Sequence, residues 1–135
     1  MRAFFTIVFS VAVLQGAPAL AEASKKAAPA VQAEFASFMG KFSAALKADD
    51  AATVASMAKL PFQGDIGVSD AAQFRAKIYK NSFSPKARAC LQRGTAVYDR
   101  DQENNDNFQI FCGKAIFIFT KTPAGFLLTD IGDDD

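Results

Sequence analysis

Histidine is absent from all 135 residues, and so is tryptophan. Without histidine the chain lacks the commonest general base, the usual zinc ligand and the side chain that titrates near neutral pH. Serine nucleophiles of the Ser-His kind are excluded with it, and no serine sits in a G-x-S-x-G elbow. No C-x-x-C pair is present, which argues against thiol redox chemistry. An excess of one charge is missing as well. The chain carries 15 basic and 14 acidic residues, and removal of Arg2 with an N-terminal leader leaves 14 against 14. Such a balance creates no overall field that would gather nucleic acid or an anionic membrane. No cofactor motif and no metal-ligand set stands out.

What the chain does have is apolar and aromatic bulk. Half of its residues are hydrophobic and 14 are Phe, enough for a real core in one small domain. The N-terminus follows an export pattern: Arg2 near the start, an apolar stretch Phe4–Leu14, then Ala19-Leu20-Ala21. It reads as a signal peptide over 1–21, cleaved after Ala21. The apolar stretch is far short of the roughly 20 residues that span a bilayer, so no membrane span is expected after cleavage. The expected location is periplasmic or secreted. Residues 22–29 read as a flexible lead-in, and 30–135 as a single α+β domain.

Pro29 suits the start of a helix. Val31, Phe35, Phe38, Met39, Phe42, Ala45 and Leu46 then recur at spacings of three and four, an amphipathic stripe. Such a stripe lines a pocket in some proteins and fills a core in most. Asp49-Asp50 ends this helix and can cap a second over Ala51–Ala58, with Val54 and Met57 inward. Leu60–Gln63 reads as a short edge strand, where Pro61 is tolerated. Ser69 or Asp70 can cap a third helix to about Tyr79, burying Phe74 and Ile78. A further helical turn over Lys86–Gln92 carries Cys90, and Thr95–Arg100 reads as a strand. Between Ala71 and Arg93 every charge is positive: Arg75, Lys77, Lys80, Lys86, Arg88 and Arg93. With no Gly-rich cradle beside them, a solvated face is the simpler reading and an anion patch the sharper one.

The C-terminal stretch organises the rest. Asn107–Thr120 is almost uninterruptedly apolar, and a turn at Lys121–Gly125 leads to a second run, Phe126–Ile131. β-branched and aromatic residues around Pro-Ala-Gly predict a hairpin. Phe117 and Phe119 share one face of its first strand, Ile116 and Ile118 the other, because strand side chains alternate. A strand apolar on both faces predicts a central position with cover on each side. Gly113 could mark a bulge that changes those faces.

Few residues offer chemistry. Cys90 and Cys112 form an even pair in an exported chain, most simply a disulfide. Closing that loop contributes about 3 kcal/mol in the chain-entropy treatment. Asp99–Asp106 has acids at alternate positions, yet Asn104 and Ile110 stand where a calcium loop needs Gly and Glu. Asp130, in the last predicted strand, is the one carboxylate placed for a core or pocket, and Tyr79 or Tyr98 could join it as a proton-transfer pair. A surface Asp is the plainer reading.

The element order, with Phe35-x-x-Phe38-x-x-x-Phe42, Ala45–Asp50, Val54–Phe62, Phe111–Gly113, Ile116–Lys121 and Thr129–Gly132, resembles the nuclear transport factor 2-like superfamily. It is similar, more narrowly, to small exported bacterial proteins without characterised function. The likeness spans 31–134 and rests on core-packing residues. It implies a cystatin-like cone or α+β roll: a curved antiparallel sheet packed on a long N-terminal helix, with a possible cavity between them. Enzymes of that superfamily, isomerases and dehydratases, depend on Asp, Tyr or His in the cone, and here only Asp130, Tyr79 and Tyr98 are on offer. The leading expectation is a non-enzymatic binding module for a small apolar ligand, or for a protein partner, with Phe35, Phe38, Phe42, Phe74, Ile78, Phe117 and Phe119 as pocket or core. The alternatives are an Asp130-tyrosine enzyme and a structural homodimer through the sheet face.

Overall fold

The structure is a computed structural model that describes residues 26–135. The expected signal peptide, 1–21, and residues 22–25 of the lead-in lie outside the described residues. The rest is α+β: helices first, then a four-stranded antiparallel sheet in the order β1-β2-β3-β4.

Helix α1 (Pro29–Lys47) begins at the expected proline and buries Phe35, Phe42, Ala45 and Leu46, the expected stripe. It ends with Asp49 N–H on Leu46 O and Asp50 N–H on Ala45 O, the crossed bonds that close a helix through a left-handed residue. That residue is Asp49, at φ +51. Asp50 then caps α2 (Ala51–Ser56) by accepting from Thr53 N–H.

Leu60–Gln63 is not a strand. The chain passes a cis Leu60–Pro61 bond into a tight turn at Phe62–Gly64, where Phe62 is buried edge-on against Phe74. Pairing with the sheet occurs one step earlier, as a single parallel bridge between Ala58 and Leu128. Pro61 has no N–H to extend that ladder, and packing draws Phe62 inward instead.

Asp70 caps α3 (Ala71–Phe74), which runs through a π turn at Arg75–Tyr79 into α4 (Lys80–Ser82). The extra residue in a π turn rotates the next helical turn about the axis. Tyr79 is therefore buried, stacked on Phe83 with ring centroids 5.0 Å apart, and Ile78 is only half-buried. Ser84 caps α5 (Pro85–Arg93).

The long apolar run is two strands, not one. β2 (Asp106–Cys112) and β3 (Ala115–Thr122) are joined at Gly113-Lys114, with Cys112 paired to Ala115. Gly113 has φ +64, a conformation open to glycine without steric cost, so it makes a reversal rather than a bulge. β1 (Val97–Arg100) and β4 (Gly125–Asp133) complete the meander. The bulge lies elsewhere: Ile118 pairs with Asp130 and Phe119 with Leu128, leaving Thr129 as the extra residue.

The predicted faces hold on β3. Phe117 and Phe119 are fully buried with Phe108, Ile110, Phe126 and Leu128, facing the helices. Phe35 of α1 stacks on Phe108 at 4.0 Å, and Phe42 meets Phe119 edge-on at 5.2 Å. Phe38 is half-buried between Phe35, Phe42 and Phe119. Cover on both sides, however, is not what these residues have. Ile116 and Ile118 are only partly buried, and neither is among the residues packed against the core.

Candidate functional site

The proposed proton-transfer residues do not meet. Asp130 sits on the face away from the helices, placed there by the bulge at Thr129. Its carboxylate accepts from Gln63 Nε2, which also donates to Ile131 O at 2.9 Å. The pair ties the Phe62–Gly64 turn to β4. Tyr79 donates to a different carboxylate, Asp49 Oδ1, at 2.6 Å. Tyr98 donates to a third, Asp106 Oδ1, also at 2.6 Å, and Arg100 Nε reaches the same atom at 3.4 Å. The three residues are thus engaged in three separate places, each explicable as a cross-link between elements.

Both phenols are held protonated. Tyr79 is pushed up to about 12, first by burial and then by the Asp49 carboxylate. Tyr98 is raised chiefly because its hydroxyl is bonded to Asp106. A phenol moved in this direction gives up its proton less readily, the opposite of what proton transfer near neutral pH requires.

The loop over 101–105 uses its Asp101 internally. Asp101 accepts from Asn105 N–H, Asn105 Nδ2 and Asn107 Nδ2, and these bonds hold its carboxyl below the usual range, the Asn105 backbone N–H first. Among the described residues no cluster of three or more His, Cys, Asp or Glu could hold a metal ion.

The cysteines do come together. Cys90 of α5 and Cys112 at the end of β2 are bonded, with Cα atoms 5.8 Å apart. The bond clamps α5 onto the sheet beside Leu91, which is buried.

The aromatic residues expected to line a pocket are core. Phe42, Phe74, Phe117 and Phe119 are wholly inaccessible and Phe35 is 7% exposed. The ring contacts of Phe35, Phe42, Phe119 and Phe126 occupy the space between α1 and the sheet. Four surface clefts, of about 270 to 540 Å³, lie at the edges of the sheet and along α5, and none of the four is walled by Phe42, Phe117 or Phe119.

The sheet's outer face is the feature that stands open. Val97 is 52% exposed and Phe111 46%. Ile118 lies between Gln109 and Asp130 in the same row as Val97, and Ile116 lies beside Phe111. Leu127 extends the patch at β4 and is half-exposed. Exposed apolar side chains grouped on one sheet face in this way mark interaction sites. The alternation Ile116-Phe117-Ile118-Phe119 was the signal in the sequence, read there as burial from both sides.

No protein family, no curated protein and no solved structure matches the chain.

Proposed function

We propose that this protein is a non-enzymatic interaction module of the bacterial envelope, and that it binds a second copy of itself through the outer face of its sheet. The single observation that carries this reading is the uncovered apolar face of Val97, Phe111, Ile116, Ile118 and Leu127. The choice of a second copy rests on charge. The centre of the patch, on β2 and β3, is uncharged; its one carboxylate, Asp130, lies on the edge strand β4 and is bonded to Gln63, and ionic residues such as Asp99 and Lys59 stand at the margins. Two such centres meet without like-charge opposition when the two β4 edges lie apart, and an isologous dimer needs only one self-complementary surface. Two sheets packed face to face would bury the exposed half of each central strand.

An apolar ligand inside a cone has less support, because aromatic rings fill the space between α1 and the sheet. We further propose the cone or roll of the nuclear transport factor 2-like superfamily as the fold, a reading that the helices-then-meander order supports. Support for export comes from the leader pattern over 1–21 and the Cys90–Cys112 bond.

Native mass spectrometry and light scattering of the mature protein over a dilution series test the reading. The expected result is a concentration-dependent doubled mass that is abolished by Phe111→Lys with Ile118→Lys. A wild-type protein that stays at monomer mass across the series would overturn self-association. A monomer carrying an added small mass would restore the ligand reading.

A further inference from the structure

The disulfide also builds a feature invisible in the sequence. Lys86, Cys90 and Arg93 fall four and three residues apart on α5, so they share one face of that helix. Lys86 and Arg93 are two turns apart, about 10 Å along the axis. Cys90, between them, is bonded to Cys112, and Cys112 is two residues from Lys114 in the β2–β3 turn. The bond therefore brings Lys114 to the same cleft as Lys86 and Arg93. These three cations line a cleft of about 540 Å³ together with Ala115, Ile131 and the disulfide itself. That size lies within the ~300–1,000 Å³ common for small-molecule sites.

None of these three cations is in an ion pair among the described residues. Arg88 of the same helix is taken up by Asp49 at 2.9 Å, and Lys121 by Glu34 at 2.9 Å. Among the described residues Lys86, Arg93 and Lys114 have no ion pair, and Asp133, the one carboxylate on the cleft wall, forms none with them. Among its lining residues the cleft thus holds three positive charges against one negative, with Asp134, whose N–H bonds to Lys114 O at 2.7 Å, just beyond them.

We propose that this cleft binds a small organic anion, an acidic head against Lys86, Arg93 and Lys114 and a short apolar body against Ile131, Ala115 and the disulfide. Charge-assisted bonds fix the head, and burial of the apolar body adds affinity that a bare ion does not gain. The site is distinct from the outer sheet face and stands or falls independently of self-association.

Amide-shift mapping by NMR on the intact mature protein, with octanoate as probe, tests the proposal. Octanoate should shift Ala87, Gly113, Lys114 and Ala115 saturably. Octanol, which has the tail without the charge, and inorganic phosphate, which has charge without the tail, should each bind about tenfold more weakly or worse. The triple variant Lys86→Gln, Arg93→Gln, Lys114→Gln changes only exposed side chains and should weaken octanoate about tenfold or more. The single variant Lys114→Gln should give a smaller loss, which keeps the test open if the triple variant fails to fold. Shifts centred on Phe111 and Ile118, no shifts at all, or unchanged affinity in the variants would overturn the site. Phosphate binding as tightly as octanoate would overturn the apolar half of it.

Discussion

Tyr79 and Asp49 are thirty residues apart and joined by a hydrogen bond of 2.6 Å, Tyr79 Oη donating to Asp49 Oδ1. Arg88 Nη1 reaches the same oxygen at 2.9 Å and Phe83 O at 3.2 Å. One carboxylate thereby links the end of α1, the π turn and α5. Asp49 occupies the left-handed position that closes α1, where glycine is usual. Its side chain explains why an aspartate is found there: what it costs in backbone conformation is offset by two bonds that glycine lacks.

Three variants separate these contributions. Tyr79→Phe leaves Asp49 with Arg88 and should cost about 1 kcal/mol, the net worth of one hydrogen bond. Asp49→Gly loses both bonds and strands the buried phenol, a cost of about 1–3 kcal/mol. Asp49→Ala adds the left-handed penalty and should be less stable than Asp49→Gly by about 1 kcal/mol. Urea unfolding at neutral pH measures all three. Equal stability of the alanine and glycine variants would mean the left-handed residue carries no strain.

The same bond predicts alkaline sensitivity. Burial and Asp49 raise Tyr79 to about 12 in the fold, against about 10 in an unfolded chain. The folded state therefore holds a proton that the unfolded state releases. The stabilisation is complete below about pH 10 and is lost as pH rises from there towards 12. Unfolding midpoints should fall across that window, and Tyr79→Phe should flatten the decline. Tyr98, which is raised as well, contributes to the slope that persists in the variant.

Much of this was legible in the sequence where periodicity ran unbroken. The stripe from Val31 to Leu46, the alternating faces of Ile116–Phe119, the caps at Asp50 and Asp70 and the cysteine pair all depend on local spacing or on compartment. What local spacing could not carry was any insertion that shifts phase. The π turn exchanges Ile78 for Tyr79 in the core, and the bulge at Thr129 turns Asp130 away from the helices. A two-residue reversal at Gly113-Lys114 is easily taken for strand when both flanks are apolar. The Lys86, Arg93 and Lys114 cleft needed the disulfide and the hairpin together, so composition alone offered only a run of basic residues.

The Cys90–Cys112 bond closes a loop with a sequence separation of 22. Cys90→Ser with Cys112→Ser should lower stability by about 3 kcal/mol through the loop entropy of the unfolded chain. Urea unfolding of this variant beside the wild type gives the difference. The intact mass of the native chain should also rise, on reduction, by the hydrogens of both thiols. A mass unchanged by reductant would show that the bond does not form.

The two faces of the sheet should answer mutation differently. Phe119 is wholly buried between Phe35, Phe38 and Phe42, and Phe119→Ala should cost about 3–5 kcal/mol. Phe111, half-exposed on the opposite face, should cost less than about 1 kcal/mol in the monomer when replaced by Ser. The thermal midpoint of Phe111→Ser should be independent of concentration, while that of the wild type rises with it, because a partner on this face stabilises the fold by mass action. A wild-type midpoint indifferent to concentration would count against the paired face.

Gly94 closes α5 in a space that admits no side chain. A methyl group there would lie 2.4 Å from Ile110 Cγ2 and 2.9 Å from the Cys90 carbonyl oxygen. Ile110 is buried under the helix, and the carbonyl belongs to the half of the disulfide fixed on α5, so neither can withdraw without moving the clamp. Gly94→Ala should therefore cost about 1–3 kcal/mol, as overpacking does. Gly132 on β4 supplies the control, since a methyl group there meets nothing within 4 Å and Gly132→Ala should change stability by less than about 0.5 kcal/mol. Parallel unfolding of the two variants reads the contrast directly, and equal costs would mean that α5 rests less closely on β2 than its clamp requires.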